Sequence, residues 1–208
     1  MAVISLCDYT GNMIKPWTDA GHQALLIDPQ HGVTTSIDGI VKYAGTILEA
    51  LPTIRLWIKT KDISLVAGFP PCTDLAVSGS RWFNDKSSQD KHFQSKAALI
   101  AEQCRMIGMI SGAPWFLENP VSVLSSIIGK PNYSFHPWQY NGLEPNDNYT
   151  KKTMIWSGGG FTLPKFEIDE TLGPPDNRIH YASPGPERAN IRSATPMGFA
   201  KAVYRHLN

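Results

Sequence analysis

Four short apolar runs mark the first 120 residues, and each stops at a polar or proline-containing turn. Residues 2–6 lead into Asp8-Tyr9-Thr10-Gly11-Asn12, and residues 24–27 into Asp28-Pro29. Residues 63–67 run into Gly68-Phe69-Pro70-Pro71-Cys72, and residues 114–117 into Glu118-Asn119-Pro120. Unbroken apolar runs of this length predict strands buried on both faces. Between the last two, residues 88–111 place Phe93, Ala97, Ile100, Ala101, Cys104 and Ile107 at spacings of three and four, which predicts one helix with a single apolar face. Trp17 to Gly21 reads as a helix end closed by Gly21, while residues 37–57 have mixed spacing and suggest helix only around Ile47, Leu48 and Leu51. Strands alternating with helices predict an α/β fold with a doubly wound, mostly parallel, Rossmann-like sheet. Its functional groups belong at the carboxyl ends of the strands.

Beyond residue 132 the pattern changes. The chain becomes aromatic and polar, with one strand-like segment at 153–156. Residues 158–190 are rich in Gly, Pro and charge and read as a surface excursion. Residues 193–206 read as a turn, Ala194-Thr195-Pro196, followed by a closing helix. The expectation is one catalytic domain over residues 1–208, with 158–190 as a short loop-rich excursion.

Composition narrows this picture little. Charged residues make up 18 %, too few for a disordered polyelectrolyte. Lys plus Arg number 19 against 18 Asp plus Glu, so no bulk charge marks a nucleic-acid partner and any such partner would meet a local patch. Three scattered cysteines, with no CxxC and no HExxH, give no disulfide framework and no metal site. The N-terminus lacks a basic leader, and no apolar stretch is long enough for a bilayer, so a soluble protein of the cytoplasm is expected.

Each predicted strand end carries polar chemistry, and in an open α/β sheet these ends meet at one crevice. Cys72 and Glu118 there would form a nucleophile and an acid/base. Taken singly, a cysteine after a strand is more often a small buried hydrophobe, and a glutamate can cap a turn. The ordered set weighs differently. Gly68-Phe69-Pro70-Pro71-Cys72 resembles the catalytic loop of cytosine-C5 DNA methyltransferases, and Phe116-Leu117-Glu118-Asn119-Pro120 resembles their Glu-Asn motif, with Pro120 where most members carry Val. Tyr9-Thr10-Gly11-Asn12-Met13 is similar to their glycine cofactor loop, with Met13 in place of the second glycine. Asp28 falls where that family has a ribose-binding acid. Asn148-Tyr149-Thr150-Lys151-Lys152-Thr153 resembles the Gln-x-Arg-x-Arg motif, with Lys151 and Thr153 at the arginine positions, and Arg192 to Ala200 resembles the closing motif.

The resemblance covers most of the chain and implies a class I S-adenosylmethionine-dependent fold with DNA as substrate. Compact members occur in phage, which sets the expected setting as a bacterial or phage-infected cell. It implies that Cys72 adds to C6 of an extruded cytosine while Glu118 protonates N3, so that C5 accepts a methyl group from S-adenosyl-L-methionine before Cys72 leaves. Asn119 would orient the loops, and Lys151 and Thr153 would support the site. Tyr9, Thr10, Gly11, Asn12, Met13, Lys15, Asp28, Pro29, Phe69, Pro70 and Thr195 would surround the cofactor.

Two departures qualify that expectation. Residues 158–190 are far too short for the family's target-recognition domain, so specificity should be low and binding should lean on phosphates. Arg178, Arg188, Arg192, Lys201 and Arg205 face the single acid Glu187 over the final stretch, and Trp82, Phe83, Trp138 and Tyr140 could stack on bases. Lys15 beside the altered cofactor loop would suit a carboxylated donor, carrying carboxymethyl in place of methyl, if its side chain points inward. A catalytically silent DNA-binding relative, or the same chemistry on RNA or a free nucleotide, are the alternative readings. Asp38 reads as a solvated loop acid.

Overall fold

A computed structural model of the full chain describes residues 1–181, 185 and 188–208. The elements follow in the order β1 (Ala2–Leu6), α1 (Lys15–Asp19), β2 (Gln23–Ile27), β3 (Thr35–Ile37), β4 (Ile40–Tyr43), α2 (Leu51–Thr60) and β5 (Ile63–Gly68). Then come α3 (Phe83–Gln89), α4 (Phe93–Ser111), β6 (Trp115–Pro120), α5 (Leu124–Ile127), β7 (Tyr133–Phe135), β8 (Thr153–Gly158), α6 (Arg188–Ser193) and α7 (Met197–Leu207). All described strands join one eight-stranded sheet in the order β3-β4-β2-β1-β5-β6-β8-β7.

The strands anticipated from apolar runs form its parallel centre. β1 pairs in parallel with both β2 and β5, β4 extends the sheet beyond β2, and β6 extends it beyond β5. The chain winds outward from β1 in one direction and then restarts from β5 in the other. The crevice where the direction reverses therefore lies between the ends of β1 and β5, as doubly wound sheets require. β8 runs antiparallel between β6 and β7.

Period-two alternation divides the core. Ile4, Leu6, Leu25, Ile27, Val66 and Leu117 face one layer with Ile54 and Trp57 of α2 and Ala101, Cys104 and Ile107 of α4. Val3, Ala24, Leu26, Leu65, Ala67 and Phe116 face the other, with Trp17 of α1 and Phe199 and Val203 of α7. This is a sheet flanked by helices on both faces.

Several expectations need correction. Residues 35–43 form the β3–β4 hairpin and α2 begins only at Leu51, so Ile47 and Leu48 precede the helix. The hairpin turn is Asp38-Gly39, with φ of 50° and 79°, a positive pair that favours this dipeptide; the signal was present in the sequence. Asp38 is an exposed turn acid. The helix expected over 88–111 is two helices, because Asp90 turns extended and its carboxylate takes the amide of His92 and the Lys96 ammonium instead of continuing the ladder. Residues 158–190 do not merely cross the surface: Phe161 is buried in the second layer, and Pro164 accepts the Tyr140 hydroxyl.

Candidate active site

The loop after β5 is shaped by its neighbours before any chemistry is considered. The Phe69 amide donates to the Leu6 carbonyl at 2.9 Å, carrying the β1–β5 pairing one step further. Pro70 and Pro71 then forbid further ladder donation. The amides of Leu75 and Ala76 fold back on the Cys72 carbonyl at 3.0 and 2.8 Å, so Cys72 opens a tight turn. Past it, Val77 donates to the Val121 carbonyl at 3.1 Å and Val123 to the Leu75 carbonyl at 3.0 Å, stitching this loop to the segment after β6. Buried Asn119 completes the join: its Nδ2 donates to the Pro70 carbonyl at 3.0 Å. Asn119 is thus a strand residue whose side chain tethers the cysteine loop.

Glu118 and Lys151 meet beside this loop. Each side chain is only 12 % exposed and the Nζ–Oε1 distance is 3.9 Å, an ion pair too long to be a hydrogen bond. Glu118 Oε1 and Asn119 Oδ1 are consequently buried acceptors with no hydrogen-bond donor among the described residues. Buried acceptors without donors are rare and costly, and at a crevice they mark where a ligand donates. Burial pushes the Glu118 carboxyl above the ordinary range, partly offset by Lys151. The Cys72 thiol is also raised, first by burial and then by the Glu118 charge, against the pull of Lys151 and Arg192. Glu118 and Lys151 thus pair beside the cysteine loop, and the charges of Glu118, Lys151 and Arg192 all act on the Cys72 thiol. Nucleophilic addition coupled to proton donation is the chemistry such a set can perform. Thr153 is buried and its hydroxyl donates to the Lys151 carbonyl at 3.1 Å, so it positions the lysine.

The loops after β1 and β2 differ in character. Asp8 accepts from the Ser5 hydroxyl at 2.7 Å, the Gly11 amide at 2.8 Å and the Thr10 hydroxyl at 3.2 Å. Gly11 has φ of +72°, open to glycine at little strain. Asn12 Nδ2 reaches the carbonyl of buried Thr195 at 3.2 Å, bringing the closing turn against the β1 loop. Asp28 caps the turn at Pro29–His31 through Gln30, with Pro29 itself exposed. Tyr9 leans on His31 with ring centres 5.9 Å apart. Tyr9 and His31, with Thr10, Gln30 and Lys42, line an open depression of about 460 Å³. Phe69 packs edge-on against Phe116, and Pro70 is buried. Another depression, of about 510 Å³, lies at the opposite end of β6 beside Trp115 and Trp156.

Two cofactor assignments are corrected. Met13 is fully buried in the layer with Val3, Trp17 and Leu26, a core side chain and not a wall of the crevice. Lys15 is 57 % exposed and pairs with Asp19 at 2.7 Å, one turn along α1, so it points to solvent and offers no inward charge to a carboxylated donor. Two further expectations change. Tyr140 is fully buried and cannot stack on a base, whereas Trp82 is exposed with Arg81 5.0 Å from its ring. The basic excess near the C-terminus is largely neutralised by acids from elsewhere: Arg178 pairs with Asp176, Lys201 with Glu144 and Arg205 with Glu167. Arg192 entered the sequence reading only as part of that patch and the closing motif; no spacing rule places it beside Cys72.

Among the described residues no three His, Cys, Asp or Glu side chains cluster as metal ligands, and no helix is long and apolar enough to cross a membrane. No protein-family model matches the chain, and the search of curated proteins gives no match.

Proposed function

We propose that this protein is a cytosine-C5 transferase acting on DNA, with S-adenosyl-L-methionine as donor. The observation that carries the reading is the joining of Cys72 and Glu118, 46 positions apart in sequence, by the Asn119–Pro70 hydrogen bond and the paired segments that follow, with Glu118 Oε1 left as a buried acceptor. A cytosine extruded from its strand fits the chemistry of that pair. Cys72 Sγ, as thiolate, forms a bond to C6 while protonated Glu118 donates its proton to N3, leaving C5 electron-rich. After substitution at C5 the C5 proton departs to a base, the Cys72–C6 bond breaks, and N3 returns its proton to Glu118. Lys151 draws the thiol toward its thiolate and holds Glu118 in place.

The donor supplies an electrophilic methyl group on a sulfonium when bound. The residues that would hold it are Asp28, whose second carboxylate oxygen has no hydrogen bond among the described residues, and the Tyr9–Asn12 loop with its left-handed Gly11. Phe69 and Thr195 border the same crevice. The fit is through backbone and carboxylate groups at the switch point, where such ligands bind in doubly wound sheets. The exposed Lys15–Asp19 pair gives the carboxylated donor no support.

DNA from cells expressing the wild type and Cys72→Ala, digested to nucleosides and compared by mass spectrometry, tests the reading. A Cys72-dependent mass gain on deoxycytidine is expected, and its size identifies the group. Unmodified deoxycytidine in both samples, repeated with purified protein and added donor, would sink it and turn attention to RNA, a free nucleotide or a silent binder.

A further inference from the structure

Arg192 is the one cation of the C-terminal stretch whose position the sequence left unexplained. It is half-buried in α6, and no hydrogen bond, acidic partner or ring contact joins it to another described residue. Arg178, Lys201 and Arg205 in the same stretch are paired with acids. Its placement is set by tethers on both sides. Ala194 and Ser193 bond back to the Asn190 carbonyl at 2.9 and 3.2 Å, closing α6, and Thr195 is then held by Asn12 at 3.2 Å. The end of α6 is thereby fixed to the β1 loop at the switch point, next to the β5 loop that carries Cys72, and the Arg192 charge acts on that thiol.

A half-buried guanidinium with no partner among the described residues presents five donors in a planar fork, a geometry matched by carboxylate and phosphate. Lys151, the other cation at the thiol, is already engaged by Glu118. We infer that Arg192 binds the phosphate adjoining the base that enters the Cys72–Glu118 site. This rests on the nucleic-acid reading above and deepens it: affinity for the target would come from one bidentate phosphate contact beside the reacting base, supplied from α6.

The test is a binding cycle on the full chain. A single-stranded oligonucleotide of about twelve nucleotides with one central deoxycytidine is compared with versions in which the linkage 5′ or 3′ to that residue is a neutral methylphosphonate. Wild type, Arg192→Gln and Arg192→Lys are titrated by fluorescence anisotropy, with thermal melting and thiol alkylation as checks that each variant is folded. In wild type, one of the two neutral linkages should weaken binding about tenfold. Arg192→Gln should weaken the all-phosphate oligonucleotide by a similar factor, lower the salt slope by about one, and be indifferent to that linkage. Arg192→Lys should recover part of the loss, since a point charge replaces a fork. Losses that simply multiply, so that the variant still senses the neutral linkage, would overturn the assignment while leaving the nucleic-acid reading intact. If folded wild type binds neither this oligonucleotide nor its duplex, both fall together.

Discussion

The two halves of the crevice treat their carboxylates differently. At the ends of β1 and β2, Asp8 satisfies Ser5, Thr10 and Gly11, and Asp28 caps its own turn. At the ends of β5 and β6, Glu118 Oε1 and Asn119 Oδ1 are buried with no donor among the described residues, and the Lys151 ammonium stands 3.9 Å from Glu118. The carboxylates of the first half mainly hold its turns, although His31 Nε2 there is also buried with no partner among the described residues; in the second half the carboxylate itself is the buried, unanswered acceptor. Internal satisfaction supplies rigidity, and an unsatisfied buried acceptor supplies a place for a ligand.

The strongest way to sharpen that contrast is Glu118→Gln. The amide keeps the shape but cannot hand over a proton, so turnover should fall by about 10²- to 10⁴-fold. Single-turnover rates at several pH values provide the check. Wild type should show an acid limb above the ordinary carboxylate value and an alkaline limb above the ordinary thiol value, as the raised Glu118 and Cys72 groups titrate as a pair. In the variant, where only the Cys72 thiolate is needed, the carboxyl limb should vanish and the rate should instead rise with pH until the thiol is ionised. An acid limb that persists unchanged would assign it to another group.

Asn119→Ala should cost stability as well as rate. It removes the Pro70 tether within a buried setting, worth about 1–3 kcal/mol. A fall of several degrees in melting temperature, together with a lower kcat, is expected; a melting temperature equal to wild type would mean that the segments after Cys72 and Pro120 hold the loop without it.

Asp147 probes the satisfied framework. Its carboxylate accepts from the Gly198 amide at 2.6 Å at the start of α7, yet burial raises its pKa from 3.8 to about 6. The folded state holds this proton more tightly than the unfolded chain. The resulting stabilisation is complete below pH 3.8 and is lost as pH rises through about 6. Asp147→Asn should therefore be more stable than wild type at pH 7, by about 1–3 kcal/mol, with the gap narrowing toward pH 4 in urea titrations. A gap independent of pH would reject the sign of this coupling.

Lys15→Ala should do least. The exposed pair with Asp19 is worth no more than about 0.5 kcal/mol, and donor affinity should be unchanged. A tenfold loss of donor binding in that variant would return Lys15 to the crevice.

What was legible in the sequence was local. The runs ending at Leu6, Ile27, Gly68 and Leu117 have the length and composition that bury on both faces, and they became the parallel centre of the sheet. Cys72 and Glu118 could be named because a strand end displays whatever follows it. The β3–β4 hairpin is equally local, signalled by Asp38-Gly39 between two short segments whose apolar residues fit no single period. Other features depended on partners far along the chain. Met13 lies in a loop that reads as crevice, but the face of the sheet beneath it made it core. Tyr140 and the C-terminal cations resembled a binding surface until Pro164, Glu144 and Glu167 were brought against them.

By itself, then, the sequence determined where the central strands would form, in what order, and which reactive side chains would stand at their ends, because period, turn chemistry and chain direction act over a few residues. Tertiary structure alone decided which of those side chains remain without partners. Burial of Glu118, exposure of Lys15 and the approach of Arg192 to Cys72 each depend on elements separated by tens of residues, and no local pattern encodes the distance between them.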